Sequence, residues 1–205
     1  MQSPGTLFTV SAPSGAGKTS LVEALVDRCK QLRVSISHTT RDIRHGEQDG
    51  ISYHFVTEAA FLEMLSRSAF LEHAKVYANY YGTSQEWVEE QLRAGHDVIL
   101  EIDWQGAEQI KRLRPDSVSI FILPPSRQAL RDRLTKRGQD EEQVIQQRMN
   151  QAVDEISRYP LADYIVVNDH FDSALDELTC VVESQQLRTK SQVVRHQKLL
   201  TELLS

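Results

Sequence analysis

The nine residues Ser11-Ala12-Pro13-Ser14-Gly15-Ala16-Gly17-Lys18-Thr19 narrow the possible folds more than any other stretch of the chain. The β-rich run Leu7 to Ser11 leads into them, and a helical pattern with Leu21, Val22, Leu25 and Val26 along one side leads out. A glycine-bent turn between a strand and a helix, ending in Lys-Thr, is the context of a phosphate-binding loop. Gly15 and Gly17 let the backbone bend so that successive N–H groups and the helix N-terminus face an anion. Lys18 is set to neutralise phosphate oxygens, and the Thr19 hydroxyl to ligate Mg²⁺. The expected nucleotide contacts are Ala12, Pro13, Ser14, Gly15, Ala16, Gly17, Lys18, Thr19 and Ser20. Ala12 stands where such loops usually have their first glycine, so the position must keep a negative φ.

Further apolar runs recur between helical patterns: Val34 to Ser37, Val98 to Ile102, Val118 to Leu123 and Tyr164 to Val167. Nearly continuous apolar strands separated by helices predict an α/β fold, a P-loop NTPase-type parallel sheet flanked by helices on both faces. A helix is expected from an N-cap at Ser126 to Arg137, with Gly138 as its stop. Between Thr39 and Gly95 the period changes. Helices near Glu58 to Arg67 and Gln85 to Ala94 alternate there with short segments around Tyr53 to Val56 and Phe70 to Val76, which reads as an inserted mixed α/β lobe. The charged, Gln-rich stretch Lys136 to Asn150 reads as a small helical lid with little to anchor it. The expected division is a core of 1–38 and 96–205 carrying a lid at about 131–150, and a lobe of 39–95. One domain thus covers 4–185, followed by a helical tail. Gln192 to Leu204 is amphipathic and is expected to dock on its own core, with a homo-oligomer through this C-terminal helix as the alternative.

Charge and cysteine usage limit the partners. A formal net charge of -6 argues against a nucleic-acid binder, because phosphate backbones are held by clustered Lys and Arg. No apolar run approaches the roughly 18 residues that span a bilayer, and no secretion pattern opens the chain, so no membrane partner is expected and the cytoplasm is. Cys29 and Cys180 show no metal-ligand spacing and are expected to be buried, reduced thiols.

The inserted lobe narrows the reading from phosphate binding to a reaction. Ser37-His38-Thr39-Thr40-Arg41-Asp42-Ile43-Arg44 sets two arginines three apart, followed by Gly46, Glu47, Gly50 and Tyr53-His54-Phe55-Val56. Phe70-Leu71-Glu72-His73-Ala74, Asn79-Tyr80-Tyr81-Gly82-Thr83 and Ile99-Leu100-Glu101-Ile102-Asp103 come next, then Ile120 to Ser126 and Val166-Val167-Asn168-Asp169. In this order, and over nearly the whole chain, the motifs resemble guanylate kinase, of the P-loop nucleoside monophosphate kinases. The resemblance implies transfer of the ATP γ-phosphoryl to GMP, and to dGMP, with Mg²⁺ as cofactor and ATP and GMP as small-molecule partners. It implies that Ser37, Arg41, Arg44, Tyr53, Glu72, Tyr81, Thr83 and Asp103 line the GMP site. Chemistry agrees: the arginines can grip a phosphate bidentately, the tyrosines donate hydroxyls, and Glu72 with Thr83 and Asp103 offers acceptors to the guanine N1–H and N2 amine. Ser37 can donate to O6. AMP would strand those acceptors. Thr83 stands where the family often has serine and keeps the hydroxyl.

Arg133, Arg137 and Arg148 match lid arginines of the resembled family, with Arg131 between them. The expected catalytic set is Lys18, Arg44, Arg137 and Arg148, while Arg133 and Asn168 are expected on the ATP side. Asp169 falls in the same adenine-side loop. Glu101 or Asp103 can orient Mg²⁺ through water, beside Thr19. Two other readings fit less of the pattern: a P-loop kinase acting on a phosphorylated sugar, and a non-catalytic interaction scaffold.

Overall fold

The computed structural model describes residues 4–76, 78–137 and 142–205, apart from the side chains of Arg137, Glu142 and Gln143. Gly138, the expected helix stop, lies outside the described residues. Five strands make the main sheet: β1 (Leu7–Ser11), β2 (Leu32–Ser35), β7 (Asp97–Glu101), β8 (Val118–Leu123) and β9 (Tyr164–Val167). Their order is β2-β7-β1-β8-β9 and every pairing is parallel, the α/β arrangement expected. β2 lies two residues earlier than the predicted Val34 to Ser37. Leu32 is the buried residue that starts it, and Ser37 is left beyond its end.

Alternation across the strands builds two cores. Phe8 and Val10 of β1, Ile99 of β7 and Ile120 of β8 face α1 (Lys18–Arg28) and α7 (Phe171–Gln186), where Leu21, Leu25, Ala174 and Leu178 close the layer. Leu7, Val98 and Leu100 face the other way, onto α3 (Gln85–Arg93) and α4 (Trp104–Leu113), through Val88, Leu92 and Ile110. Each such side chain, fully buried, contributes about 1.5–3 kcal/mol, so this sheet is the rigid base on which the site is mounted.

A second sheet, β4-β3-β6-β5, carries the inserted lobe. It comprises β3 (His38–Thr39), β4 (His54–Phe55), β5 (Phe70–Val76) and β6 (Asn79–Ser84). α2 (Glu58–Ser66) is capped by Thr57 and places Phe61 in stacks with Phe70 and Tyr80. β6 is polar and contains Gly82, so its sequence carries a motif without reading as a strand. A register shift between Phe70 and Glu72 bulges β5 and sets Glu72 opposite Thr83.

Three expectations need correction. The lid is anchored: Leu130 and Leu134 of α5 (Arg127–Arg137) bury against Ile145, Met149 and Ala152 of α6 (Glu142–Ile156). A few apolar side chains at helical spacing suffice there, hidden in sequence by the Gln and Arg around them. The tail docks only in part. It breaks at His196 into α8 (Thr189–Arg195) and α9 (Gln197–Leu204), neither of which buries a residue, and Leu203 and Leu204 are 70% and 89% exposed. α8 touches the core, where Gln192 Nε2 donates to the Gln186 carbonyl at 2.9 Å, and α9 does not. Cys180 is exposed and Cys29 only partly covered; both are free thiols.

Candidate active site

The phosphate loop crosses from β1 to α1 with Gly15 at φ 90° and Gly17 at φ 92°, both in the left-handed region. Ala12 keeps φ out of that region, since Ser68 is the one positive-φ non-glycine among the described residues. Gly17 caps α1 without a side chain, leaving the helix N-terminal amides open to an anion. The loop is braced from behind. Asn168 Nδ2 donates to the Ala16 carbonyl at 2.7 Å, and Arg133 donates to the same carbonyl at 3.3 Å and to the Asn168 carbonyl at 2.9 Å. Lys18 Nζ donates to the Ile102 carbonyl at 3.1 Å, just past β7. Thr19 Oγ1 donates to Glu101 Oε1 at 2.5 Å.

In the lobe, Arg41 lies against the Tyr53 ring, with its guanidinium carbon 5.4 Å from the ring centroid, and donates to Glu47 Oε1 at 2.7 Å. Glu47 Oε2 accepts from the Arg44 amide at 2.8 Å, so one carboxylate organises both arginine positions. The hydrogen bond to Glu47 raises the Arg41 pKa, and the same bond lowers that of Glu47. The Arg44 side chain is exposed to solvent. Tyr53 and Tyr81 meet edge to face at 5.9 Å. Burial raises the Tyr53 pKa, which keeps its hydroxyl a donor at neutral pH. Ser37 is buried at the end of the segment after β2.

Behind these groups sits a buried acceptor pair. Glu72 is 3% exposed and accepts from Thr83 Oγ1 at 2.6 Å, and Thr83 is fully covered. Burial pushes the Glu72 pKa to about 7; the Thr83 hydrogen bond opposes the rise and nearby Asp103 adds to it. Glu72 Oε2 packs on Gly106, where an added Cβ would come within 2.5 Å. Asp103 caps α4, accepting from the Gly106 amide at 2.9 Å and from Gln105 Nε2 at 3.0 Å.

One cleft of about 1430 Å³ joins the three parts. Ser14, Thr19 and Ser20 line it from the loop side; Ser37 from the segment after β2; Arg41, Arg44, Tyr53 and Tyr81 from the lobe; and Arg148 from the lid. Glu72, Thr83 and Asp103 stand behind that wall. Arg133 and Asn168 brace the loop without lining the cleft, and the Arg137 side chain lies outside the described residues. Of the two candidates beside Thr19, Glu101 is the one in contact with it. Sequence reading named Glu47 within a motif without giving it a role, and missed Glu155. Glu47 left a signal in its position three residues after Arg44; Glu155, which accepts from the Ser14 amide at 3.3 Å, left none.

Comparison with known proteins agrees with this geometry. The family model described as guanylate kinase matches residues 5–185. A guanylate kinase of Saccharophagus degradans is 57% identical over 205 residues, 100% of both chains. One of Pseudomonas fluorescens strain Pf0-1 is 56% identical over 202 residues, 98% of each. The crystal structure of guanylate kinase from Anaplasma phagocytophilum superposes with a TM-score of 0.78 at 31% identity, covering 93% of this chain and 90% of that one. With a match that runs from the phosphate loop through the lobe and lid, the chain belongs to the guanylate kinase family.

Proposed function

We propose that the chain transfers the γ-phosphoryl of ATP to GMP, and to dGMP, giving ADP and GDP in purine nucleotide recycling. The observation that carries this reading is a single cleft with two anion-binding features, the phosphate loop and the Arg41–Arg44 pair, and a buried acceptor pair beside the second. ATP takes the loop of the 1–38 and 96–205 core, and GMP takes the 39–95 lobe. Ser14 to Thr19 cradle the triphosphate with backbone amides, and Lys18 turns from the Ile102 carbonyl to the phosphate oxygens. Arg41, Arg44, Tyr53 and Tyr81 hold the GMP phosphate. Glu72, Thr83, Ser37 and Asp103 read the guanine edge. Arg137 and Arg148 spread the charge that develops on the transferred group, and lid closure expels water that would otherwise hydrolyse ATP. The attacking GMP phosphate oxygen is already anionic, so no general base is required.

A Mg²⁺ ion fits the residues present. The Thr19 hydroxyl and Glu101 carboxylate converge as hard oxygen donors, and no group of three or more His, Cys, Asp or Glu side chains gathers into a cage among the described residues. That is the sparse donor set on which Mg²⁺ completes its shell with phosphates and water. Thr19 and Glu101 would hold the ion, which would supply positive charge to offset that of the triphosphate. Two further assignments belong to the same reading. The enzyme works in the cytoplasm, where nucleotides are recycled, and a second copy docks on the exposed leucines of α9.

A coupled ADP-release assay with GMP, dGMP, AMP and ribose 5-phosphate, with and without Mg²⁺, tests the assignment. Turnover should need Mg²⁺ and a guanine monophosphate; preference for AMP or the sugar phosphate would overturn it. Lys18→Met should leave GMP binding nearly intact and lower turnover by about three orders of magnitude or more. Unchanged turnover would remove Lys18 from the mechanism.

A further inference from the structure

The carboxylate of Glu155 stands where its own helix disfavours it. It lies in the last turn of α6, where carbonyls point outward and no basic residue balances them. Burial raises its pKa, the Ser14 amide and Lys18 pull it back down, and Asp103 raises it again. Both favourable influences come from the phosphate loop: the Ser14 amide donates to Oε2 at 3.3 Å, and the charge of Lys18 favours the carboxylate from a distance. An amide of such a loop that donates to a carboxylate oxygen makes the contact it would make with a phosphate oxygen.

We propose that Glu155 is an internal ligand of the phosphate loop, tethering the lid helix α6 to the loop through an amide for which ATP phosphates compete. The proposal rests on the loop being the ATP site. A single hydrogen bond at 3.3 Å is long, so it can be exchanged for the shorter contacts of a triphosphate. Displacement releases the last turn of α6, which makes nucleotide binding and lid release one event. Arg158, just beyond the helix, stacks over Trp104 at 4.3 Å and keeps α6 attached to the core when the tether is gone. Glu155 is therefore a positioning residue that lowers apparent ATP affinity in exchange for a lid held in place before binding.

Calorimetric titration of Mg·ATP into the intact chain and into Glu155→Gln, Glu155→Ala and Glu155→Asp tests this, with thermal melting as the check on folding. Glu155→Ala and Glu155→Asp should bind about threefold to tenfold tighter, because the competing tethered state is removed, and KM for ATP should fall with Kd; Glu155→Gln loses the charge but keeps an acceptor for the Ser14 amide and should tighten less. Glu155→Asp is decisive. It keeps the charge but is one methylene too short to reach Ser14, so tighter binding in this variant identifies the tether. If Glu155→Asp binds like the intact chain while Glu155→Gln tightens, the effect is long-range repulsion and the proposal is overturned. Equal or weaker binding in all three also overturns it. Failure of every form to bind Mg·ATP overturns the ATP reading of the loop and the tether with it. If Glu155→Ala does not fold, the Gln and Asp pair carries the same decision.

Discussion

Under the proposed function, Glu72 trades stability for recognition of guanine. The unfolded chain releases its proton near 4.5, whereas the folded protein holds it to about 7. Between those values the folded state binds more protons, so its stability falls as pH rises through the window, and the full burden persists above 7. Glu72→Gln removes a charge while keeping an acceptor for Thr83. It should therefore stabilise the fold on the order of 3 kcal/mol at pH 8 and give no gain below pH 4.5, as read by urea unfolding at the two pH values. The same change puts an amide NH₂ against the guanine donors and should lower kcat/KM for GMP about 10²-fold. In the intact enzyme, KM for GMP should rise as pH falls below about 7, since a proton must leave Glu72 before it accepts from guanine; the Gln variant should lack that dependence. A Gln variant with unchanged GMP selectivity would dissociate Glu72 from base reading. Glu72 and Thr83 were legible because they stand in a run of linked motifs. Glu155 was not: its role comes from a contact across 141 positions of sequence, and its own helix offers only an ordinary acidic residue.

Elements differed in legibility for physical reasons. β1, β5, β8 and β9 match their predicted bounds, because apolar or β-branched runs end abruptly at polar or turn residues. β6 escaped because its pairing with β3 and β5, and not its composition, makes it a strand. The lid core escaped because it needs two helices to meet. The phosphate loop was readable as a loop, but its support was not, and this gives a prediction at the scale of the element. An added Cβ at Gly17 would come within 2.4 Å of Asn168 Nδ2, at a φ of 92°. Gly17→Ala should cost about 1–3 kcal/mol from backbone strain alone and push Asn168 off the Ala16 carbonyl, weakening Mg·ATP binding. Asn168→Ala removes the obstacle along with the brace. The two changes should then be less than additive in a double-mutant cycle on melting and ATP titration. Full additivity would mean that loop and brace are not coupled.

At the scale of the molecule, the parallel sheet holds the loop, the second sheet holds the arginines, and the lid packs on the loop itself. Leu134 and Leu130 lie 3.1 and 3.2 Å from where a Cβ on Gly15 would sit, so the lid packs directly on the loop proposed to hold the ATP phosphates. α9 has no part in this arrangement. Its leucines bury nothing in their own chain, so their contribution to a single copy is close to zero, unlike α7, whose Leu178 and Val182 complete the core. Removal of Gln197 to Ser205 should leave turnover unchanged and shift the Tm of a dilute sample by no more than about 1 °C. If copies associate through this helix, the intact chain should melt higher as its concentration rises, and the shortened chain should not. Sedimentation velocity over the same concentrations reads the mass directly. Concentration-dependent melting that survives the truncation would move the interface to another face. A fall of several degrees in the dilute monomer would mean that α9 docks on its own chain after all.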